Sequence, residues 1–199
     1  EISGAALVGK ALKNEGTKAI FTLSGGPTVI SIYNTCVDEG IELIDTRHEQ
    51  AAANAATGYA IATRGPGVAL VTSGPGVINM APGIATAYNA CAPVIGICGR
   101  TPHALEGKGL IQEFDAGDMY RSITKWKGYC TMTHRIPEYV AAAFRHATTG
   151  RMGQALLEFA DDAILLKVKE EAAPFIPPEK YRTTARPFGD PALVKKALK

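Results

Sequence analysis

Short runs of apolar residues alternate along the chain with longer segments in which apolar residues recur every three or four positions. The continuous runs predict strands at 19–23, 41–46, 67–73, 92–99 and 154–160. The periodic segments predict helices at 3–15, 28–40, 49–63, 77–90 and near 137–149. Strands that are apolar throughout are typical of a parallel sheet covered on both faces. The pattern therefore predicts a doubly wound α/β fold with a mainly parallel, six-stranded sheet and helices on both faces.

The amino-acid composition of the chain changes after residue 165. Residues 167–199 contain five prolines and many charges, which predicts a surface linker over 166–189 after a first domain at 1–165. Asp190 then has the character of a helix N-cap, with Pro191 at the first helical position. Because this helix starts so near residue 199, and the chain begins at Glu1 rather than Met, we expect residues 190–199 to open a further, truncated domain.

Composition narrows the functional class only a little. The net charge is +2 with dispersed basic residues, which gives no electrostatic argument for nucleic acid or for a membrane surface. The longest apolar runs are strand-sized, and no signal peptide is evident. The four cysteines form no CxxC pair, so the sequence offers no metal site, and we expect reduced, mostly buried thiols in a cytoplasmic protein.

Four loops follow predicted strands, at 24–27, 46–49, 72–76 and 99–112, where open α/β sheets bind their ligands. The segment 74–79, GPGVIN, lacks the third glycine of the dinucleotide fingerprint, and Pro75 has no N–H to offer a phosphate. Gly-Pro-Gly suits close approach of a flat ligand or a neighbouring chain to the backbone. A tight turn without a ligand is the alternative interpretation.

Glu49 opens a helix made largely of alanine. In the first helical turn a carboxylate can simply complement the helix dipole, which is the structural interpretation. The functional interpretation rests on the setting, because the loop follows an apolar strand and lies between two glycine-rich loops. A carboxyl group held there, away from water, can exchange a proton with a ligand nitrogen.

Three segments resemble the N-terminal pyrimidine-binding domain of thiamine diphosphate-dependent enzymes. They are TRHEQAAANAATGYA, GVALVTSGPGVINMAPGIATAYNACAPVIGICG and LIQEFDAGDMYRSITKWKG. The likeness runs in order over residues 3–165 and is nearest to acetolactate synthase, benzaldehyde lyase, 2-hydroxyacyl-CoA lyase and oxalyl-CoA decarboxylase. It implies a transferase or lyase of the carboligase and decarboxylase type, acting on 2-oxo acids or 2-hydroxyacyl compounds, and leaves pyruvate, other 2-oxo acids, 2-hydroxyacyl-CoA and aromatic 2-hydroxyketones open.

The resemblance assigns roles to individual residues. Glu49 matches the glutamate that hydrogen-bonds N1′ of the aminopyrimidine, favours its 4′-imino tautomer and so promotes deprotonation of the thiazolium C2. Gln112 matches a glutamine that points at the reacting centre, with an ordinary exposed loop amide as the alternative. The loops that would line the pyrimidine pocket contribute Gly26, Pro27, Thr72, Gly76 and Asn79. For these residues turn chemistry and helix capping remain the alternatives.

Several positions depart from the family pattern. The loop 24–27 has no histidine, whereas some lyases and decarboxylases of the family carry one there, and His103 is poorly placed to replace it. His48 is expected to pack or hydrogen-bond locally. The segment 150–164 lacks the Gly-Pro-Val and Pro-Lys-Asp motifs that are common in acetolactate synthases, which indicates a divergent member of the family.

The family's diphosphate site is missing from this sequence. No GDG motif occurs, since Gly117-Asp118 continues with Met119, and no asparagine follows Asn89. The resemblance therefore implies that the chain holds the pyrimidine half of thiamine diphosphate. Mg²⁺ and the diphosphate would then belong to another domain, with the complete pocket formed between two subunits.

The small-residue helices 49–63 and 77–90 are expected to mediate a homo-oligomer, a dimer or tetramer.

Two other interpretations of the chain's function stay open. One is a stand-alone subunit of a two-chain 2-oxo acid decarboxylase, which an aborted helix at 190–199 disfavours. The other is a non-catalytic regulatory or scaffold module of the same fold, which the glutamate at position 49 disfavours.

The division of the cofactor site gives a direct prediction. We expect that the 199-residue chain alone neither binds thiamine diphosphate tightly nor turns over substrate, because the groups that hold the diphosphate are absent from it. Calorimetric titration with cofactor and Mg²⁺ measures this, and micromolar affinity would contradict the division.

Overall fold

The computed structural model describes residues 1–183 and 188–199. The strands are β1 (Ile2–Ser3), β2 (Ala19–Thr22), β3 (Glu42–Asp45), β4 (Gly67–Val71), β5 (Val94–Arg100), β6 (Trp126–Cys130), β7 (Ala155–Ala160) and β8 (Lys167–Val168). The helices are α1 (Gly4–Asn14), α2 (Gly26–Asp38), α3 (Glu49–Thr63), α4 (Pro75–Ala90), α5 (Gly117–Tyr120), α6 (Ile136–Thr148), α7 (Asp161–Leu165) and α8 (Pro191–Ala197).

Six of these strands form one parallel sheet in the order β3-β2-β4-β5-β7-β6. Every neighbouring pair in it is parallel, which confirms the predicted six-stranded α/β sheet, although β6 was not among the five strands predicted by position. β1 and β8 pair separately, antiparallel, through Ile2 with Val168 and Ser3 with Lys167. Because parallel strands need crossover connections, all six strands of the main sheet end at the same edge, and their following loops gather there.

Alternate residues of each central strand serve two different cores. In β4, Val68 and Leu70 pack into the core that contains α1, α2 and α6. Ala69 and Val71 face the other way, into the core that contains α3 and α4. The two-residue period of a strand thus divides the helices into one layer on each face, which confirms the doubly wound prediction.

The predicted element boundaries hold to within about two residues. α3 begins at Glu49 and ends at Thr63 as the pattern predicts. α4 begins at Pro75 and α2 at Gly26, each two residues before the predicted start. The sequence prediction assigned these glycine and proline residues to loops. Proline is nevertheless well suited to a first helical turn, because the N–H groups there have no partner within the helix and none is lost.

The segment after α7 lies against β1 and the end of α1. β8 pairs with β1, and the Tyr181 hydroxyl donates a hydrogen bond to the buried Glu15 carboxylate at the end of α1. Arg182 lies 2.9 Å from the other oxygen of Glu15. Residues 184–187 of the predicted linker lie outside the described residues. In α8 the Asp190 side chain caps the helix by accepting from the N–H of Ala192, as predicted.

Other sequence expectations concern thiols and membrane helices. Cys36, Cys98 and Cys130 are buried and Cys91 is partly buried, and all four are free. Burial raises the pKa of the Cys36 thiol to about 12 and that of Cys130 to about 11. Over residues 1–183 and 188–199, no helix has the length and apolarity required to cross a membrane.

The small residues of α3 and α4 allow these two helices to pack at very short range. A Cβ atom on Gly83 would lie 2.4 Å from Cβ of Ala53 and 3.1 Å from the carbonyl oxygen of Gln50. Such distances leave no room for any side chain at position 83. On the strand side of α3, a Cβ on Gly67 would lie 2.1 Å from the carbonyl oxygen of Ala56. The alanine-rich sequence is therefore a packing requirement of this layer.

This packing predicts opposite effects for two glycine substitutions. Gly83→Ala is expected to destabilise the chain by about 1–3 kcal/mol, because the new methyl group overpacks the α3–α4 contact. Gly58→Ala is the matched control, since Gly58 lies within α3 and a Cβ added to it would have no neighbour within 4 Å. That variant should gain up to about 1 kcal/mol from helix propensity. Chemical denaturation measures both, and equal stability of the two variants would contradict the tight contact.

Candidate active site

The loops after β3, β2 and β4 converge at the carboxyl edge of the sheet. Thr22 at the end of β2 pairs with Asp45 of β3 on one side and Leu70 of β4 on the other. Thr46 bridges two of the loops, because its backbone N–H and its hydroxyl both donate to the carbonyl oxygen of Thr22, at 2.8 and 2.9 Å. The start of α3 is thereby held beside the starts of α2 and α4.

Glu49 is the first residue of α3 and is 8% exposed. His48 forms the N-cap, with its Nδ1 accepting from the backbone N–H of Gln50 at 3.1 Å, which confirms the local role expected for this histidine. Glu49 itself is therefore not needed as a cap. Its carboxylate instead turns toward α4.

One oxygen of Glu49 is fixed and the other is free. Oε2 accepts a hydrogen bond from the Asn79 side-chain amide at 3.1 Å. In the described part of the chain, no donor hydrogen-bonds Oε1. A carboxylate that is nearly buried, oriented by one amide and open at its second oxygen is arranged to receive a donor from a ligand.

The packing of α3 on α4 creates this pair. Glu49 and Ala53 are four residues apart and share one face of α3, as Asn79 and Gly83 do on α4. The close approach of Gly83 to Ala53 therefore brings the Asn79 amide within reach of the Glu49 carboxylate one turn away. A larger residue at either small position would separate the two helices and lengthen this hydrogen bond.

Glycines lie beside Glu49 and Thr72, where a side chain would be crowded. A Cβ on Gly76 would lie 2.7 Å from Cγ2 of Thr72 and 3.5 Å from Oε1 of Glu49. Gly26 has a φ of +72°, and a Cβ on it would lie 2.8 Å from Oγ1 of Thr72. Thr72 thus packs between two residues without side chains. We call Gly26, Glu49, Thr72, Gly76 and Asn79 the Glu49 site.

Gln112 reaches the same place from a different loop. Its side-chain oxygen lies 3.4 Å from the Ser73 hydroxyl and 3.5 Å from the Thr72 hydroxyl, which are long and weak hydrogen bonds. A Cβ on Gly74 would lie 2.7 Å from the Gln112 carbonyl oxygen, so the two loops touch through backbone. Gln112 is exposed, as the alternative interpretation expects, but it also borders the Glu49 site.

Pro27 is the remaining residue of the sequence-predicted site. It is the second residue of α2, it is exposed, and it follows Gly26 directly. The structure therefore brings all the predicted positions to one edge of the sheet, with Pro27 and Gln112 at its exposed side. Their roles toward a ligand stay predictions.

A second polar group at the same edge was not foreseen from the sequence. Arg100, at the end of β5, lies 3.2 Å from Glu106, 3.6 Å from Asp115 and 3.9 Å from Glu158, with its guanidinium carbon 4.1 Å from the centre of the Tyr129 ring. We call these five residues the Arg100 cluster. A glutamate in the otherwise apolar run ALLEFA is the signal that could have revealed it.

Glu158 is the buried member of the Arg100 cluster. It is 3% exposed, and its Oε1 has no hydrogen-bond partner among the described residues. Burial raises the pKa of Glu158 to about 7, although the nearby Arg100 acts in the opposite direction. Protonation at neutral pH therefore relieves the cost of an incompletely paired buried charge.

This raised pKa predicts a pH dependence of stability. Because the pKa of Glu158 is higher in the folded than in the unfolded chain, its favourable contribution is full below about pH 4 and is lost as the pH rises through about 7. The free energy of unfolding of Glu158→Gln minus that of the wild type should therefore increase by about 1–3 kcal/mol between about pH 4 and pH 8. Urea denaturation at both pH values tests this, and a constant difference would contradict it.

A known protein family matches more than half of this chain in sequence. Residues 2–119 match the family described as "Thiamine pyrophosphate enzyme, N-terminal TPP binding domain". The matched range includes the Glu49 site and the loop with Gln112.

Three relatives show how far the similarity extends. The chain is 39% identical over 203 residues to the probable acetolactate synthase large subunit of Methanocaldococcus jannaschii, covering 100% of this chain and 34% of the relative. It is 36% identical over 202 residues to the acetolactate synthase large subunit of Haemophilus influenzae, covering 100% and 35%. For the acetolactate synthase isozyme 2 large subunit of Escherichia coli the identity is 35% over 161 residues, covering 81% and 29%. The chain thus spans about a third of the length of these relatives.

Proposed function

This chain belongs to the family of N-terminal TPP-binding domains of thiamine pyrophosphate enzymes, and on that premise we propose that it binds and activates the pyrimidine half of the cofactor. The observation that supports this most directly is the buried Glu49 carboxylate, with one oxygen held by Asn79 and the other open beside Gly76. A planar ring with a nitrogen able to accept or donate a proton fits a site of this chemistry.

Each residue of the Glu49 site has a distinct task in this proposal. Glu49 binds the ring nitrogen of the pyrimidine at Oε1 and exchanges a proton with it. Asn79 orients the carboxylate, and Gly76 leaves the ring free access to it. When bound, thiamine diphosphate supplies the electron sink for a carbanion formed at a substrate carbonyl. In this proposal Gln112, on the neighbouring loop, contacts the substrate.

We further propose an acetolactate synthase-like carboligase as the reaction class, acting on 2-oxo acids such as pyruvate. Relatives that align with the whole chain are named acetolactate synthase large subunits, and this supports the proposed reaction class. Because the chain spans about a third of those proteins, Mg²⁺ and the groups that hold the diphosphate are proposed to lie in another domain. A cytoplasmic location is proposed from the four free thiols.

The role of Glu49 can be tested with an isosteric change. We propose that this domain is part of a larger, complete enzyme. In that enzyme, Glu49→Gln should lower thiamine diphosphate-dependent turnover of pyruvate by about 10²–10⁴-fold, because the amide cannot take part in proton exchange. Glu42→Gln is the matched control, since Glu42 is exposed on the edge strand β3. An unchanged rate in Glu49→Gln would favour a scaffold role for this fold.

We also propose that the chain forms homo-oligomers, dimers or tetramers, through the outer surface of α3 and α4. Ile61 on α3 is 57% exposed, and Ile78 and Tyr88 on α4 are 40% and 43% exposed. These apolar side chains stand among small residues that let another backbone approach closely. Ile78 adjoins Asn79 in α4, so a second copy bound at this end of the surface would border the cofactor.

The oligomer proposal predicts behaviour of the chain in solution. At high micromolar concentration it should sediment as a species larger than a monomer, and Ile61→Lys should weaken this association by placing a charge in the contact. Val37→Lys is the matched control, because Val37 is 62% exposed on α2, in the layer on the opposite face of the sheet. A strictly monomeric wild-type chain would contradict the proposal.

A further inference from the structure

The loop that carries Gln112 is folded around a neighbouring carboxylate. We propose that Glu113 is a positioning residue that holds this loop in shape and thereby sets the place of Gln112 at the Glu49 site. The inference rests on the proposed function, because it assigns to Gln112 a contact with substrate. It adds a residue that acts through Gln112 and touches no ligand itself.

The Glu113 carboxylate accepts three hydrogen bonds from the backbone of its own loop. Oε1 accepts from the N–H of Gly107, and Oε2 accepts from the N–H groups of Gly109 and Leu110 at 2.8 and 3.1 Å. Gly107 and Gly109 have φ values of +78° and +71°, which turn successive amides inward. Neighbouring N–H groups gathered in this way form a concave anion site, here filled by a side chain of the same loop.

The loop is also closed in the reverse direction. The backbone N–H of Glu113 donates to the Leu110 carbonyl oxygen at 3.1 Å, so Leu110 both donates to and accepts from this residue. Gln112 lies within that closed turn and has a φ of +62°. A side chain-bearing residue holds such a left-handed conformation only when the surrounding structure imposes it.

Apart from the backbone contact with Gly74, packing supplies little of that constraint. Ile111 is 93% exposed, and Gln112 is exposed as well. The hydrogen bonds of Gln112 to Thr72 and Ser73 are long, at 3.5 and 3.4 Å. The three amide bonds to Glu113 are therefore the strongest described interactions that shape the tip of the loop.

The ends of the loop are anchored to the sheet by charge. Arg100 lies 3.2 Å from Glu106 before the tip and 3.6 Å from Asp115 after it. The Asp162 carboxylate accepts from the N–H of His103 at 3.1 Å. Because both ends are fixed by residues other than Glu113, loss of Glu113 should loosen residues 107–112 without releasing the loop as a whole.

The amide hydrogen bonds, above all the one from Gly107, lower the pKa of Glu113. The carboxylate is therefore charged at neutral pH, and its contribution to loop order is lost as the pH falls through this lowered value. The charged or titratable groups at the ends of the loop are Arg100, His103, Glu106, Asp115 and Asp162, and of these Arg100 favours the charged form of Glu113. A neutral glutamine at position 113 should reproduce the acid form at every pH.

The first experiment uses the 199-residue chain and needs no activity. Amide hydrogen exchange at neutral pH should be about ten-fold faster or more at Gly107, Gly109 and Leu110 in Glu113→Gln than in the wild type, with an unchanged melting temperature. Glu171→Gln is the matched control, because Glu171 is exposed in the short turn Glu170–Ala172. Unchanged exchange at these three amides in Glu113→Gln would overturn the proposed role of this carboxylate.

The second experiment asks whether Glu113 acts through Gln112. In the complete enzyme, Glu113→Gln should lower kcat/KM for pyruvate by about ten-fold or more, since small displacements of a positioned group are costly to rate. In a Gln112→Ala background the same change should have an effect of less than about two-fold, because the group it positions is gone. Additive losses would overturn the inference, whereas retention of activity in Glu113→Asp would support a carboxylate requirement.

Glu49→Gln separates this inference from the proposed function. If Glu49→Gln keeps full activity, the proposed function fails, while the exchange experiment still decides whether Glu113 holds the loop. If Glu49→Gln is inactive and Glu113→Gln is fully active, the function stands and the positioning role of Glu113 is wrong.

Discussion

The close contact between α3 and α4 is the constraint on which the candidate site depends. Gly83 meets Ala53 at a distance that excludes every side chain, and the carboxylate and amide one turn away meet as a consequence. The alanines of α3 therefore serve the geometry of Glu49 and not only the stability of a helix. A helix layer built from larger residues would bury more apolar area but would place Glu49 and Asn79 too far apart to bond.

Glycines at the site follow the same logic. Gly26, Gly74 and Gly76 each lie where a Cβ would collide with Thr72 or with the Gln112 backbone. These residues carry an entropic cost of folding, which the tight layer beneath them offsets. The result is a site with little flexible side-chain material around Glu49, so that the orientation of its carboxylate is set by backbone and by one amide.

The carboxyl edge of the sheet contains two polar groups of different character. In the Glu49 site one buried carboxylate has an oxygen beside Gly76 that no described donor hydrogen-bonds. In the Arg100 cluster, several carboxylates surround one guanidinium and hold the ends of the loop that carries Gln112. The first is arranged for a ligand and the second for loop order, and Glu113 continues that second function toward the tip of the loop.

Local patterns in the sequence determined most of the strands, the main helices and the parallel sheet with helices on both faces, because continuous apolar runs and the 3.6-residue period are recorded in neighbouring positions. They also placed Glu49 and its glycine-rich neighbours at one edge, since parallel strands must end there. The tertiary structure alone decided that Asn79 is the partner of Glu49, that Glu158 is buried beside Arg100, and that Tyr181 and Arg182 bind Glu15. These pairs join residues 30 or more positions apart, and their distances depend on how closely the helices and strands pack, which no local period records.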